Sequence, residues 1–374
     1  MPARWALTRY QQTISAALAS DFANLRSWFN VRQTMINTVR NGILAGGNWL
    51  LDHTKIIDVY PAQDALANIL AETSSNGGGP YNLLKDLARL RVPFPLAAVG
   101  LVGDDAAGAY IRKDCHAHGI DTHLLYVTKE APTSYTDVMM VKSTGRRTFF
   151  HQRGANAFLD ASHFDLAQSE ARIFHLGYLL LLDRLDQPDP VHGTVAAAVL
   201  HRAQESGFRT SVDLVSEDSD RFPKIVLPAL RYCDYCIMNE FEAERTTRVA
   251  IVRDGKIDLR AVRTAAHKLL AAGVREWVVI HFSSGAVAVG SGGRELVQAS
   301  VDIPQERIAG TLGAGDAFAA GLLAGLHEAV PMNVALDYGV CVAAASLTHP
   351  TSSDGVEALP ECLHLAEEFG YRQL

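Results

Sequence analysis

The sequence predicts an α/β fold in which helices cover both faces of a largely parallel sheet. From about residue 43 onward, short apolar runs alternate with stretches that are long enough for a helix. The clearest runs are residues 95–100, 172–175, 210–214, 235–238 and 278–281. Strands that alternate with helices in this way form a parallel sheet between two helical layers, because each helix crosses over to begin the next strand.

The length and composition are those of a globular protein. The chain has 374 residues, of which 48% are hydrophobic and 20% are charged, and this excludes a disordered, collagen-like or coiled-coil chain. We find no secretory signal pattern and no run of about 18 apolar residues that would span a membrane. We therefore expect a soluble, cytoplasmic protein without a membrane partner.

The charge is distributed unevenly between the first 40 residues and the rest. Residues 1–40 contain five Arg and one Asp, whereas the whole chain has 34 basic and 41 acidic residues and a net charge of −7. The remaining body carries −11, which disfavours a nucleic-acid partner, because such a partner requires a basic face. An acid-poor N-terminus that contains arginine also occurs in mitochondrial transit peptides, and this alternative stays open.

The domain organisation follows from the periodicity. Apolar residues recur at helical spacing over residues 5–30, so residues 1–40 predict an accessory helical segment. Residues 41–374 show no repeat or linker, and we expect one domain there. Segments near 52–60 and 134–152 break the strand and helix alternation and predict an antiparallel flap, or lid, inserted in two pieces.

The cysteines predict reduced thiols rather than a disulfide framework. There are five of them in a long chain, and Cys233 and Cys236 form a CxxC pair without a second pair nearby. The apolar alternation that follows Cys233 favours a strand entering the core over a zinc or redox site.

The residues that indicate chemistry form a loop of small residues before a predicted helix. Gly313, Ala314 and Gly315 leave the amides at the helix start open, and such amides attract phosphate because they are unpaired and partly positive. Asp316 follows in the first turn, where a carboxylate can accept the proton of a hydroxyl that attacks a phosphoryl group. On this stretch alone, a tight turn capped by Asp316 is an equal alternative. The Walker and Rossmann glycine patterns are absent.

Further motifs make residues 42–360 similar to the ribokinase-like (PfkB) carbohydrate kinases. These motifs are G-N-x-x-x-D at 47–52, G-G-x-x-x-N at 77–82, V-G-x-V-G-x-D-x-x-G at 99–108, N-x-x-E at 239–242 and G-A-G-D at 313–316. The resemblance implies a three-layer α/β/α sandwich with a mostly parallel central sheet and a small β-lid. Asp104 or Asp105 is expected to start a helix.

The resemblance also implies roles at the acceptor site. Asp316 would deprotonate the acceptor hydroxyl, and the amides of residues 313–315 would form an anion hole. Asp52 and Asn82 would bind the hydroxyls of a sugar-like substrate, and Gly78 would let the backbone approach that substrate.

Nucleotide and metal contacts are implied as well. The nucleotide residues would be Asn239, Thr311 and Gly285. Glu242 would act at the Mg²⁺ that accompanies ATP; its alternative is a solvated acid in the first turn of a helix.

Two departures from the family pattern, and the arginines of the lid hairpin, carry their own expectations. Gly310 replaces the aspartate that helps to build a monovalent-cation site, so we expect activity to be insensitive to K⁺. The nucleotide turn is altered at residues 281–285, and His281 there is either a nucleotide neighbour or a polar strand end. Arg146, Arg147 and Arg153 either contact an anionic substrate or, as is commoner, lie exposed on the lid hairpin.

The resemblance, taken with these patterns, implies an ATP-dependent kinase that phosphorylates a hydroxyl of a small sugar-like substrate, with Mg²⁺ as cofactor and a homodimer formed through the lid. Two alternatives stay open. The acceptor is a nucleoside or another non-sugar, or, given Gly310 and the altered turn, the chain is a catalytically impaired sugar-binding or regulatory protein.

Overall fold

The computed structural model describes residues 40–374, and this part of the chain is built from both strands and helices. The helix predicted over residues 5–30 lies outside the described residues. The main strands are β1 (Ile43–Gly47), β2 (Leu50–Ile57), β3 (Ile69–Gly77), β4 (Leu96–Gly103), β5 (Ile120–Thr128), β6 (Ser134–Val141), β7 (Arg147–Gln152), β8 (Ile173–Leu179), β9 (Arg209–Leu214), β10 (Tyr235–Asn239), β11 (Trp277–Phe282), β12 (Gly285–Gly290) and β13 (Glu295–Ala299).

The α-helices connect these strands and cover the sheet. They are α1 (Gly79–Arg89), α2 (Ala106–Ala117), α3 (Val195–Glu205), α4 (Phe222–Leu230), α5 (Glu240–Thr247), α6 (Leu259–Ala271), α7 (Ala314–His327), α8 (Met332–Ser346) and α9 (Leu359–Phe369). Two short hairpins pair Pro188–Asp189 with Gly193–Thr194 and Val252–Arg253 with Lys256–Ile257. Among residues 40–374, no helix is long and apolar enough to cross a membrane.

The central sheet has nine strands in the order β13-β12-β11-β10-β9-β8-β1-β4-β5. The strands from β11 to β5 in this order are parallel, and β12 and β13 continue one edge in antiparallel pairing. The chain leaves β1 toward β4 on one side and later returns to β8 on the other. Ligands bind at the carboxyl ends of parallel strands around such a reversal. The predicted α/β class with a mostly parallel sheet is confirmed.

Each face of the sheet has its own apolar core. Leu44 on β1 belongs to the core beneath α3, α4, α5 and α6, whereas its neighbours Ile43 and Ala45 belong to the core beneath α1, α2, α7, α8 and α9. Successive residues of a strand point to opposite faces, so this division shows helical layers on both sides. The three-layer sandwich is therefore confirmed.

The lid is a separate four-stranded sheet in the order β3-β2-β6-β7. The sequence predicted two of its segments but missed β3, because the first six residues of that strand are exposed and it lacks a sustained apolar alternation. The predicted strand at 52–60 runs instead from Leu50 to Ile57. The expected antiparallel ribbon is wrong for the middle of the lid, since β2 pairs with β6 in parallel. It holds for β2 with β3 and for β6 with β7.

Trp49 and Asn156 join the lid to the body. The buried indole of Trp49 donates through Nε1 to the Val99 carbonyl at 2.9 Å. Asn156 accepts from Trp49 N at 3.2 Å through Oδ1 and donates to Trp49 O at 3.1 Å through Nδ2. These contacts set the direction in which β2 leaves the sheet. The G-N-x-x-x-D motif therefore bridges two strands, with Gly47 at the end of β1 and Asp52 on β2 of the lid rather than on the first strand.

Two local predictions are visible in the structure. Asp105 starts α2 as its N-cap and accepts a hydrogen bond from the Gly108 amide at 2.8 Å. All five cysteines are free and buried, and burial raises the pKa of both Cys233 and Cys236. The CxxC pair therefore lies in the core at the start of β10.

Candidate active site

Helix α7 begins in a tight loop at the carboxyl edge of the sheet. Gly313 caps the helix with a φ of 75°, a left-handed conformation that favours glycine. A Cβ atom at this position would lie 2.7 Å from the Ser352 carbonyl oxygen, so a side chain is also excluded by sterics. The amides of the first helical turn have no intrahelical acceptor, and they are therefore available to bind an anion.

The Asp316 side chain lies in that first turn and is only 6% exposed. Asn82 Nδ2 donates to its Oδ2 at 2.7 Å, and the Tyr178 hydroxyl donates to Oδ1 and Oδ2 at 2.7 and 2.8 Å. Burial raises the pKa of Asp316 to about 6, whereas the two hydrogen-bond donors act to lower it. A carboxyl group with such a pKa is ionised at neutral pH and can still accept a proton in a transition state.

A cavity of about 380 Å³ opens beside Asp316, between the body and the lid; we call it the acceptor cavity. Asp52 lies in its wall and is 7% exposed. Burial and the negative charge of Asp316 raise the pKa of Asp52 to about 7, while the Thr136 hydroxyl and the positive charge of Arg147 lower it. The apolar part of the wall is formed by Leu50, Phe149, Leu181, Leu214 and Val215.

The lid contributes two further polar groups to this cavity. Arg147 Nη2 donates to the Thr311 hydroxyl at 2.8 Å and so connects the lid to the loop before α7. His151 Nδ1 is bonded to the Thr136 hydroxyl at 3.0 Å, whereas its Nε2 is buried without a partner. Burial and the charge of Arg153 lower the pKa of His151 to about 4, so the ring is neutral at pH 7. A neutral imidazole nitrogen can exchange a hydrogen bond with an acceptor hydroxyl.

The G-G-x-x-x-N element lies at the cavity, and its residues make contacts within the protein that the sequence did not predict. Gly78 has a φ of 87°, and a Cβ there would lie 2.2 Å from the Asn48 carbonyl oxygen, so glycine is required by close packing against Asn48. We expected Asn82 to donate to the substrate. In the structure its Nδ2 donates to Asp316, and its Oδ1 accepts from Asn76 Nδ2 at 2.7 Å.

A second cavity, of about 480 Å³, adjoins the acceptor cavity at the start of α7; we call it the nucleotide cavity. Thr311, Ala314 and Gly315 line both cavities. The predicted nucleotide residues Asn239 and Gly285 also lie in its wall. Its apolar lining includes Phe241, Phe282, Ile308, Phe318 and Val340.

His281 is both a strand-end residue and a cavity residue. It lies near the end of β11 and lines the acceptor and the nucleotide cavities. A Cβ atom on Gly315 would lie 3.3 Å from the imidazole, so the ring packs directly against the start of α7. Burial lowers the pKa of His281 to about 4, and the ring is therefore neutral at pH 7.

Glu242 is held in a capping box at the start of α5. Asn239 Oδ1 accepts from the Glu242 amide at 2.9 Å, and Glu242 Oε2 accepts from the Asn239 amide at 3.0 Å. Its Oε1 accepts from the Ser216 hydroxyl at 2.7 Å. The side chain is 3% exposed, so the solvated acid that we considered as the alternative is wrong.

Asp213 and Glu242 provide a wall of buried carboxyl groups that fits a divalent cation. Burial raises the pKa of both, to about 7 for Glu242, and the negative charge of Glu242 raises that of Asp213 further. Within residues 40–374, no group of three or more His, Cys, Asp or Glu side chains is placed to hold a metal ion. Mg²⁺ commonly retains waters and binds one or two carboxylates together with substrate phosphates, and this wall fits that mode.

Most of the described residues match the model of a known protein family. The model of the pfkB family carbohydrate kinases matches residues 48–359. The chain belongs to this family. The match includes the site residues from Asn48 to Asp316, and it agrees with the resemblance seen in the motifs. The protein is therefore a carbohydrate kinase of the pfkB family.

The relatives of this pfkB-family kinase are named for different substrates. The ATP-dependent ribose-1-phosphate kinase of Halopiger xanaduensis is 28% identical over 291 residues, which are 75% of this chain and 83% of the relative. Adenosine kinase 2 of Arabidopsis thaliana is 23% identical over 347 residues, which are 84% of this chain and 97% of the relative.

Solved structures show the same fold. Arabidopsis thaliana ribokinase, complexed with ribose and ATP, has a TM-score of 0.69 at 21% identity and covers 87% of this chain and 98% of its own. An E. coli protein described as a ribokinase II, in complex with ATP and Mg²⁺, has a TM-score of 0.67 at 19% identity and covers 87% of this chain and 99% of its own. The fold of this kinase is ribokinase-like.

Several site residues of this kinase were missed by sequence reasoning. Tyr178 and Asp213 lie near the carboxyl ends of β8 and β9, and Ser216 follows β9. A polar residue at the carboxyl end of a parallel strand was the available signal, because these ends line the ligand crevice. His151 comes from the lid strand β7, whose pairing alone brings it to the cavity. Arg147, on the same strand, is one of the three arginines that we considered for contact with an anionic substrate.

Proposed function

We propose that this pfkB-family kinase transfers the γ-phosphoryl group of ATP to a hydroxyl of a small sugar or sugar-like acceptor. One observation carries the proposal: the anion-binding start of α7 lies in the wall that the two cavities share. Ala314 and Gly315 line both cavities, whereas Asp316 lines the acceptor cavity. A phosphoryl group that passes from a nucleotide to an acceptor here meets these amides and arrives beside a carboxylate base.

At the acceptor end, Asp316 takes the proton of the attacking hydroxyl as the new oxygen–phosphorus bond forms. Asp52 binds other hydroxyls of the acceptor, because its carboxyl lies in the same buried wall. The free Nε2 of His151 supplies one more hydrogen-bonding position. An acceptor that carries several hydroxyl groups matches this set of side chains.

At the phosphate end, the amides of residues 313–315 and the guanidinium of Arg147 stabilise the negative charge of the transferring group. Asp213, Glu242 and their waters would hold Mg²⁺, which supplies further charge neutralisation to the nucleotide phosphates. Asn239, Gly285 and Thr311 contact the nucleotide from the walls of the second cavity. Local groups thus attract the polyanionic ATP to a chain whose net charge is −7.

A nucleoside acceptor is the second candidate, and the apolar wall of the acceptor cavity favours it. Phe149 from the lid and Leu181 from the body line the same cavity as Asp52. An aromatic ring and an aliphatic side chain can contact the planar ring of a nucleobase, which is a larger apolar surface than the C–H face of a free sugar. The relative named adenosine kinase 2 agrees with this possibility.

A substrate panel tests the proposal and separates the candidates. ADP release and thermal stabilisation are measured with Mg²⁺ and ATP over pentoses, hexoses, sugar phosphates, keto-deoxy sugar acids and nucleosides. We expect acceptor-dependent ADP release that Asp316→Asn abolishes. Release with nucleosides alone would replace the sugar assignment. Stabilisation by a sugar without ADP release would support the regulatory alternative instead.

We also propose a homodimer formed through the lid. The lid exposes large apolar side chains: Ile69 and Phe150 are each at least half exposed, and they line one surface hollow together with Tyr60. A second copy of the chain would cover them, because exposed apolar groups clustered on one element mark an interface.

Light scattering should give a dimer for the wild type and a monomer for Ile69→Lys. Val191→Lys, at an exposed position outside the lid, is the control and should remain a dimer. A wild-type monomer at all concentrations contradicts the proposal.

A further inference from the structure

Tyr178 lies outside the family motifs, and its hydroxyl contacts Asp316, the proposed base. It donates to Asp316 Oδ1 at 2.7 Å and to Oδ2 at 2.8 Å. The backbone of Tyr178 is held in turn, because its amide donates to Asn48 Oδ1 at 2.6 Å. Its ring packs on the start of α1, where a Cβ on Gly79 would approach it to 2.9 Å. The hydroxyl position is therefore determined by contacts on both sides.

The hydrogen bonds of Asp316 distinguish its two carboxylate oxygens. Oδ2 accepts from both Asn82 Nδ2 and Tyr178, whereas Oδ1 accepts from Tyr178 alone. A carboxylate oxygen accepts about two hydrogen bonds. On this count one accepting position remains at Oδ1, whereas both positions of Oδ2 are taken.

We propose that Tyr178 is a positioning residue for the base: its hydroxyl holds the Asp316 carboxylate so that Oδ1 receives the proton of the acceptor. This inference rests on the proposed function, because it assigns the proton to an atom of the same base. Tyr178 does not itself take part in phosphoryl transfer. It acts by favouring the ionised, correctly oriented form of Asp316.

Other charged groups also face Asp316 and contribute to its protonation. They lie on four of the elements around the site: Asp52 on β2, Asp86 on α1, Asp213 on β9 and Glu242 on α5. These carboxyl groups oppose the ionisation of Asp316, and burial opposes it too. Asn82 and Tyr178 favour the ionised form, so removing the Tyr178 hydroxyl should raise the pKa of Asp316.

The first test does not require turnover. In protein labelled with ¹³C at the aspartate carboxyl carbon, the Asp316 signal is identified by its loss in Asp316→Asn and is titrated in the wild type and in Tyr178→Phe. We expect the pKa of Asp316 to rise by about one unit in Tyr178→Phe, the effect of losing one hydrogen bond to a charged group. Tyr178→Met, which also lacks the hydroxyl, should give a shift in the same direction.

Tyr81→Phe is the matched control. Tyr81 is another buried tyrosine whose hydroxyl donates to an aspartate, Asp114, at 2.6 Å, and it is not among the residues that line either cavity. This variant should leave the Asp316 titration unchanged. An unchanged pKa in Tyr178→Phe and Tyr178→Met would overturn the inference.

The second test follows kcat against pH with the acceptor found in the substrate panel. The acidic limb should move to higher pH in Tyr178→Phe by the amount measured in the carboxyl titration, while the KM for ATP stays within about twofold. A uniform fall of kcat at every pH indicates a merely structural role and overturns the inference.

The two tests together distinguish the inference from the proposed function. If the pKa shift of Asp316 is present but no acceptor is turned over, the positioning role stands and the proposed function fails. If Asp316→Asn abolishes turnover but no shift occurs, the function stands and the inference falls.

Discussion

The two walls of the acceptor cavity are built in different ways. The body wall includes the backbone amides and Asp316 at the start of α7, a helix that is buried along most of its length. The lid wall consists of side chains that extend from a four-stranded sheet, and Phe149 on that wall is 53% exposed. The body wall holds its groups by helix geometry, whereas the lid wall depends on β2, β6 and β7 keeping their pairing.

This difference suggests a division of labour between the two walls. Phosphoryl transfer needs donors and a base at fixed positions, and a buried helix start supplies them with little reorganisation. Recognition of the acceptor and exclusion of water can be assigned to a lid, because closure after binding protects ATP from hydrolysis. Changes in the body wall should therefore reduce kcat most, and changes in the lid should act on acceptor recognition and closure.

The largest effect is expected at the body wall. Asp316→Asn removes the proton acceptor but retains the size of the side chain, so kcat should fall by about 10²- to 10⁴-fold. The melting temperature should not fall, because burial already disfavours the charged carboxylate. Steady-state kinetics and thermal unfolding measure the two quantities. The control is Asp104→Asn, which changes an exposed aspartate outside both cavities and should leave kcat unchanged. A near-normal kcat in Asp316→Asn would show that Asp316 is not the base.

The lid wall should give the next largest effect, through Arg147. Its guanidinium donates to the Thr311 hydroxyl, and Arg147→Met removes that charge-assisted hydrogen bond together with the proposed attraction to the phosphates. We expect kcat/KM to fall by about 10- to 10²-fold, which corresponds to one hydrogen bond made by a charged group. Arg147→Lys should recover part of the loss because it keeps the charge.

Arg146 offers a matched control for this experiment. It is the adjacent arginine, is exposed, and is not among the residues that line the acceptor cavity. Arg146→Met should leave kcat/KM within about twofold of the wild type. Equal losses in the two variants would show that the lid acts through its overall positive charge rather than through the Arg147 contact.

A smaller effect is expected on stability, at the Asp52 carboxyl on the lid side. Its folded pKa is raised from 3.8 to about 7, so its contribution to stability is largest below pH 4 and is lost as the pH rises through 7. Asp52→Asn removes this dependence. Without ligands, the variant should therefore gain stability relative to the wild type between pH 5 and pH 8, on the order of 2 kcal/mol.

Chemical unfolding at several pH values measures this difference. Asp58→Asn is the control, because Asp58 is an exposed lid carboxyl whose pKa is lowered, and its contribution does not change between pH 5 and pH 8. A difference between Asp52→Asn and wild type that is constant with pH would show that Asp52 titrates normally.

The body wall was predictable from sequence to a greater extent than the lid wall. Gly313 and Asp316 could be identified because a left-handed cap and a helix start require particular residues within a few positions of one another. Tyr178 could not be assigned to the base, because it lies 138 residues away and meets Asp316 only through the order of the strands. The strand β3 was missed since the apolar pattern of a strand needs a buried face, and most of β3 has none.

The smallest effect is expected on exchanging Na⁺ for K⁺. The resemblance to ribokinase-like kinases implies an aspartate at position 310 that helps to hold a monovalent cation, and this chain has Gly310. A Cβ atom there would lie 3.0 Å from Pro350 Cα and 3.1 Å from the His349 carbonyl oxygen, so the neighbouring loop leaves little room for a side chain.

Without a carboxylate at this position, turnover should change by less than about twofold between Na⁺ and K⁺, because the oxygen ligands that would distinguish the two ions are incomplete. Gly310→Asp should not create K⁺ activation, since the crowded side chain cannot take a ligand position without moving that loop. A several-fold rise in wild-type turnover with K⁺ would show that other oxygen atoms of the loop complete a cation site, and that this part of the body wall also responds to ions.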